Sequence, residues 1–203
     1  TVPCCSRSGG RAGRREFPRG YSRRVAATPR LQRGYSEGRY LGRPETDVVR
    51  CTTMVALGDA IRVNRRPEEA LTVFEAHAAL VRRLWPHNEG GILVTQSNIA
   101  NCLGQLGRHD AALTLERKIY AKRVAMFGTS HQGTIMAGTN QAITLYKLAL
   151  FDEAKHSIRD QLLPAARQSL GADNNLTLTL EHNLAMCLRS HPECTRDDLL
   201  EAE

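Results

Sequence analysis

Three asparagines recur along the chain at almost constant spacing. Asn98 and Asn140 are 42 residues apart, and Asn140 and Asn183 are 43 apart. A carboxamide offers both a hydrogen-bond donor and an acceptor, which suits it to pairing with a peptide group. A fixed period of this length is typical of a repeat architecture, so the same polar group recurs once in each structural unit.

A second cluster of reactive residue types lies near the end of the chain. His182, Cys187, His191 and Cys194 fall within 13 residues, and side chains of both types bind zinc in proteins. Their spacing matches no familiar zinc motif, and His182 and Cys187 would lie about 140° apart around a helix. Cys102 and Cys187 share one repeat position, which favours a packing role. We therefore predict no metal and no other cofactor.

Sequence motifs for catalysis do not occur. There is no Gly-x-Ser-x-Gly elbow, no phosphate-binding Gly-rich loop and no His-Glu-x-x-His pair, and the seven histidines are scattered. We predict that the protein is not an enzyme. The cations Lys118, Lys122 and Arg123 are predicted to form a solvated outer face of their helix.

The net charge of +7 belongs to the first part of the chain. Residues 1–50 hold 12 Arg and 4 acidic residues, whereas the remainder is close to neutral, so nucleic-acid binding by the remainder gains no support. Residues 1–45 are rich in Arg and Gly, lack helical or strand periodicity and are predicted to be disordered. Three interpretations stay open for them: a solvated tail or misassigned gene start, an organelle transit peptide, or a basic arm that binds RNA, phosphate or an acidic membrane.

Compartment and membrane association follow from apolar runs and cysteine usage. The sequence has no run of 18 apolar residues, which predicts no membrane span. The six cysteines form no dense framework, which indicates a reducing compartment. We predict a cytoplasmic protein, or an organellar one if residues 1–45 act as a transit peptide.

Apolar periodicity and breaker residues divide the rest of the chain into pairs of helices. Helices are predicted over 46–64, 67–84, 92–106, 109–127, 133–148, 152–169 and 175–189, with a break from Trp85 to Gly91. The short links within each pair force the two helices to lie antiparallel. Pro164 is expected to kink or break its helix near 160–164.

Four repeats are expected over approximately 46–87, 88–130, 131–173 and 174–203. The last is cut within a helix that starts near Asp197, so we expect the chain to be a fragment. Small residues are predicted where the two helices of a repeat cross, with leucines filling the space between them. These structural positions are Ala100, Ala112, Ala142, Ala154, Ala185, Leu103, Leu145 and Leu188.

The repeated pattern resembles the tetratricopeptide repeat, in the 42-residue form typical of the kinesin light chain family. It reads Asn-x-Ala-x-x-Leu, a turn glycine, an acidic-x-Ala element and a closing Phe-Gly or Leu-Gly, and it covers residues 50–203. The resemblance implies an all-α fold, an α-α superhelix of antiparallel helix pairs. In this fold the first helix of each pair lines a concave groove.

The resemblance also implies a function: a non-enzymatic scaffold or adaptor that binds a peptide or protein partner in that groove. Asn98, Asn140 and Asn183 would hold the partner's backbone, whereas the first repeat has Ala56 at this position. Their neighbours Ser97, Thr139 and His182 would share the groove, and Asn101 and Gln105 lie near the same helix face.

Three alternatives stay open at this point. Each asparagine could instead bond the backbone of an adjacent repeat, which is a purely structural use. The array could be a regulatory or oligomerising module of a larger enzyme or signalling protein. Binding to RNA or to an anionic surface could reside in residues 1–45.

Overall fold

The computed structural model describes residues 48–192, which fold into helices joined by short turns. The helices are α1 (Val48–Val63), α2 (Pro67–Leu84), α3 (Glu89–Gln105), α4 (His109–Phe127), α5 (Gln132–Lys147), α6 (Phe151–His156), α7 (Leu163–Leu170) and α8 (Asn175–Ser190). A π-helical segment, Ser157–Leu162, joins α6 to α7 without a break. The predicted all-α fold is confirmed. The predictions for residues 1–45 and for a helix near Asp197 lie outside the described residues.

One helix begins earlier than its sequence predicts. Helix α3 starts at Glu89, within the stretch expected to be a break. The side-chain oxygen of Asn88 accepts a hydrogen bond from the Gly91 N–H at 3.0 Å, and this cap satisfies a free donor of the first turn. The cap therefore lets two consecutive glycines begin a helix.

The helices form two layers. Helices α1, α3, α5 and α8, which we call the inner helices, each lie directly beside the next inner helix. The outer helices are α2, α4 and the continuous α6–α7, and within residues 48–192 no outer helix lies close to another. Because inner helices are more closely spaced than outer ones, the stack curves toward the inner layer.

The turn inside each pair has the same geometry in all three complete pairs. Arg65, Gly107 and Ala149 are spaced by 42 residues, and each has a positive φ of 58°, 74° and 58° respectively. In each turn the residue that follows donates its N–H to a carbonyl five residues earlier, as in Arg108 to Leu103 at 2.9 Å. This turn fixes the angle at which the outer helix leaves the inner one.

Small residues sit where the helices of a pair cross. Ala100, Ala112, Ala142, Ala154, Leu145 and Leu188 are almost completely buried. Leu103 and Ala185 are only half-buried. In the first pair Gly58 takes the alanine position because Phe74 lies opposite, and a Cβ on Gly58 would be 2.7 Å from its ring.

The π-helical segment accommodates one extra residue. The buried inner-face residues of the outer helices are Ala70, Phe74, His77 and Val81 in α2; Ala112, Glu116, Ile119 and Arg123 in α4; and Ala154, Ile158, Leu162 and Ala166 in α6–α7. Consecutive members of these sets are 4, 3 and 4 residues apart in α2 and in α4, but 4, 4 and 4 residues apart in α6–α7. The extra residue therefore lies between Ile158 and Leu162, where the Leu163 N–H donates to the Ile158 carbonyl five residues earlier.

This insertion explains two features of the sequence. The spacing from Asn140 to Asn183 is 43 rather than 42 because the added residue lies between them. Pro164 does not break the helix as an interior proline would, since a π-bulge leaves one carbonyl without a donor and proline lacks an N–H. The disturbance predicted near 160–164 is therefore a widened turn, not a break.

Helix α4 differs from the other outer helices because it buries two charged residues. Glu116 is 5% exposed and Arg123 is 7% exposed. The position of Glu116 is taken by Phe74 in α2 and by Ile158 in α6–α7. The position of Arg123 is taken by Val81 in α2 and by Ala166 in α6–α7. Burial raises the pKa of Glu116 to about 7, although a hydrogen bond with the Thr144 side chain opposes the shift. The predicted solvated face holds for Lys118 and Lys122, which are exposed, and is wrong for Arg123.

Candidate peptide-binding groove

The three repeated asparagines occupy one position on successive inner helices. Asn98 lies on α3, Asn140 on α5 and Asn183 on α8, and each is half-buried. Within residues 48–192 none of the three side chains hydrogen-bonds to another protein group, and the Asn183 Nδ2 is buried without a partner. The purely structural use, a bond to an adjacent repeat, is therefore not seen.

The residues that precede these asparagines lie on a different face. The Ser97 hydroxyl donates to the Leu93 carbonyl at 2.9 Å, and the Thr139 hydroxyl donates to the Ile135 carbonyl at 2.9 Å. Thr139 is 3% exposed and lies one turn after Ile135, on the same side of α5. Ile135 packs against residues of the outer helix of its own repeat. One residue is about 100° around a helix, so this position turns toward the outer helix and away from the asparagine face.

His182 is exposed on α8, at the position that Thr139 occupies on α5. We leave Ser97 and Thr139, whose hydroxyls bond within their own helices, out of the proposed groove. His182 stays a predicted groove residue.

Apolar side chains flank the asparagines on the same helix face. Val94 and Met136 lie one turn before Asn98 and Asn140, are 42 residues apart and are each 47% exposed. Ile143, one turn after Asn140, is 37% exposed. Sequence reasoning missed these residues, although the four-residue offset from each asparagine and the 42-residue period would have identified them.

Four positions on each of the inner helices α3, α5 and α8 form what we call the groove face. They are Val94, Asn98, Asn101 and Gln105 on α3; Met136, Asn140, Ile143 and Lys147 on α5; and Thr179, Asn183, Met186 and Ser190 on α8. Gln105 is exposed and Asn101 is half-buried. Lys147 is the one charged residue among these twelve, so the face is amide-rich and apolar with little charge.

Contacts between repeats hold one end of this face. The Tyr146 hydroxyl on α5 lies 3.1 Å from the Ser190 Oγ on α8. The Lys147 ammonium lies 5.9 Å from the centre of the Tyr146 ring. The Tyr146–Ser190 contact links α5 to α8 at this end of the face.

Three of the four residues considered as zinc ligands lie within residues 48–192, and these three are not grouped there. Cys187 is buried in the core, and burial raises the pKa of its thiol to about 11, as it does for Cys102. His182 is exposed on the surface, and the His191 Nε2 lies 3.3 Å from the Asp152 carboxylate. Cys194 lies outside residues 48–192, and within that range no three His, Cys, Asp or Glu side chains are grouped to hold a metal.

None of the helices between residues 48 and 192 combines the length and apolarity that crossing a bilayer requires. Cytoplasmic localisation stays a prediction, as do the roles suggested for residues 1–45.

The sequence matches no protein-family model and no curated protein. Solved structures do match. The nearly identical TPR-like repeats of a kinesin light chain candidate from Podosopora anserina superpose with a TM-score of 0.66 at 17% identity, over 88% of this chain and 83% of that one. A variant of those repeats gives a TM-score of 0.68 at 17% identity, over 88% and 82%.

BtubC (BKLC) from P. vanneervenii superposes with a TM-score of 0.68 at 16% identity, over 89% of this chain and 71% of that one. At these identities the comparison establishes the fold alone. The predicted α-α superhelix, similar to the TPR-like repeats of kinesin light chain-like structures, is confirmed as the fold.

Proposed function

We propose that this protein is a non-enzymatic scaffold that binds an extended segment of a partner protein along the groove face. The observation that carries the proposal is the row of three asparagine side chains, aligned across three repeats and without protein hydrogen bonds within residues 48–192. Each amide can accept from a peptide N–H and donate to a peptide carbonyl, so the row suits a backbone of any sequence.

The spacing of the row suits an extended peptide. Packed helices lie about 8–10 Å apart. A peptide in the polyproline II conformation advances about 9 Å in three residues, and every third side chain points the same way. Successive asparagines would therefore meet the partner's backbone at every third residue, and a segment of roughly nine residues would cover all three.

The apolar positions supply selectivity. Val94 and Met136 lie on one side of the asparagine row, and Ile143 and Met186 lie on the other. Methionine side chains adapt to ligands of different shape, so these positions favour apolar side chains without requiring one residue type. Because Lys147 is the one charge on this face, we expect affinity to change little with salt concentration.

A peptide-display selection against the full chain tests the proposal. We expect enrichment of segments that carry apolar residues three apart. The variant Asn140→Ala/Asn183→Ala should lose this enrichment, whereas Gln168→Ala, which removes an exposed amide from α7, should keep it. If the double variant enriches the same peptides while staying helical by circular dichroism, the asparagines are not the binding groups and the proposal fails.

A further inference from the structure

Arg123 is a buried cation without a counter-charge in the described part of the chain. It is 7% exposed, its Nε has no hydrogen-bond partner, and no ion pair within residues 48–192 includes it. The same position in the other outer helices is apolar, with Val81 in α2 and Ala166 in α7. An unpaired buried charge is costly, so a guanidinium in this position calls for an anion.

The guanidinium lies against the amino end of α5. A Cβ placed on Gly133, the second residue of that helix, would be 2.6 Å from the Arg123 Nη1, so the absence of a side chain there makes room for the guanidinium. Helix α5 has 16 residues, and its dipole places partial positive charge at this end. Two positive groups therefore face the same space.

The cap of α5 is a histidine whose ring carries its own N–H on the exposed side. The His131 Nδ1 accepts the Gly133 N–H at 3.1 Å, which places the hydrogen of the neutral ring on Nε2. The ring is exposed and stacks on Phe127, with the ring centres 4.8 Å apart. The Arg123 guanidinium and the positive end of the α5 dipole therefore favour an oxyanion at this end of the helix.

The stretch of sequence that contains Arg123 and Gly133 carries no acidic residue. Residues 117–151 include no Asp or Glu but five Lys or Arg. The nearest acidic residue along α4 is Glu116, seven residues and about 10 Å along the helix axis from Arg123. Glu116 instead lies beside the Thr144 side chain.

We propose that Arg123 and the amino end of α5 form a binding site for an oxyanion, either a phosphate or a carboxylate group. A bound oxyanion would pair with the guanidinium through charge-assisted hydrogen bonds and complement the helix dipole. Burial also lowers the pKa of Arg123, in keeping with a cation held away from water and without a carboxylate neighbour. The site lies at the link between the second and third repeats.

Thermal unfolding of the full chain with inorganic phosphate, acetate or chloride at equal ionic strength tests this site. We expect Tm to rise with the concentration of the bound anion over about 1–50 mM and to stay constant in chloride. A response to phosphate alone identifies a phosphate site, and a response to both anions identifies a general oxyanion site.

Variants separate this site from a general salt effect. Arg123→Leu should abolish the response while remaining folded, since leucine resembles the apolar residues of the other repeats at this position. Gly133→Ala keeps the charge but fills the space beside Nη1, and should raise the half-saturating concentration at least about tenfold. Arg117→Leu, which removes an exposed arginine of α4, and Glu116→Gln should both retain the response. An equal Tm in all three salts, or an unchanged response in Arg123→Leu, would overturn the proposal.

Discussion

Helix α4 and its neighbours α2 and α6–α7 occupy the same place in successive repeats, yet their inner faces differ. The neighbours bury Phe74 and Ile158 where α4 buries Glu116, and Val81 and Ala166 where α4 buries Arg123. The alanines at the helix crossings and the positive-φ turns are common to the second and third repeats. The comparison teaches that small crossing residues and turn geometry set this fold, while individual core positions are free to carry charge at a cost in stability.

The largest expected difference in stability is between alanine substitutions at the equivalent positions of α2 and α4, Phe74 and Glu116. Phe74→Ala should lower the free energy of unfolding by about 3–5 kcal/mol, because it removes a fully buried ring. Glu116→Ala at pH 8 should cost less than about 1 kcal/mol or stabilise the protein, because it also removes a buried charge. Urea unfolding of the two variants measures both values. Equal losses would show that Glu116 packs as productively as Phe74.

Titration of Glu116 gives the second prediction. Its pKa rises from 4.5 to about 7 on folding, so the folded state holds this proton more tightly than the unfolded chain does. The associated stability is fully present below about pH 4.5 and is lost as pH rises through about 7, with an upper limit of roughly 3 kcal/mol.

The variant Glu116→Gln isolates this contribution. It should remove the part of the pH dependence between pH 4.5 and 7 that the wild-type protein shows in urea unfolding. If wild type and Glu116→Gln change in parallel across this range, the Glu116 carboxyl is not responsible.

Removing the inserted residue of α6–α7 makes that helix resemble α2 and α4. Deletion of Asp160 should replace the π turn by regular α-helix and place Pro164 in its interior, which costs about 3 kcal/mol. Adding Pro164→Ala to the deletion should recover most of that loss. Thermal unfolding of the single and double variants tests this coupling, and a deletion that is harmless on its own would argue against it.

The smallest effect concerns the turns. Of the three turn residues with positive φ, Arg65, Gly107 and Ala149, only Gly107 is a glycine. Ala149 carries a Cβ, which is sterically unfavourable in this conformation. Ala149→Gly should therefore raise the free energy of unfolding by up to about 1 kcal/mol. The reverse substitution at the equivalent position, Gly107→Ala, should lower the free energy of unfolding by a similar amount. A change of the same sign in both variants would contradict this interpretation.

Much of the fold was predictable from sequence because it depends on spacing. The alanines at helix crossings, the helix pairs and the turn at Gly107 all follow from periodicity and breaker residues. The sequence also indicated an inserted residue. Ala112 and Ala154 are 42 residues apart, whereas Asn140 and Asn183 are 43 apart. Comparing these spacings places the insertion after Ala154.

The groove and the charged core were harder to predict. Thr139 beside Asn140 looked available, but one step along a helix turns a side chain by about 100° and its hydroxyl is already bonded. Arg123 looked solvated because it follows Lys122 in a basic stretch, and only the packing of α4 against Gly133 shows that it is buried. Periodicity finds the face of a helix, whereas burial of an exceptional residue depends on its neighbours in space.

The most direct test of the central claim is the dissociation constant of a selected peptide for wild type and for Asn140→Ala, measured by isothermal titration calorimetry. Loss of one backbone-binding amide in a partly buried groove should weaken binding roughly tenfold or more, with Tm unchanged within the error of the measurement. Equal affinity for both proteins would contradict the account, because the asparagine row would then not hold the partner's backbone.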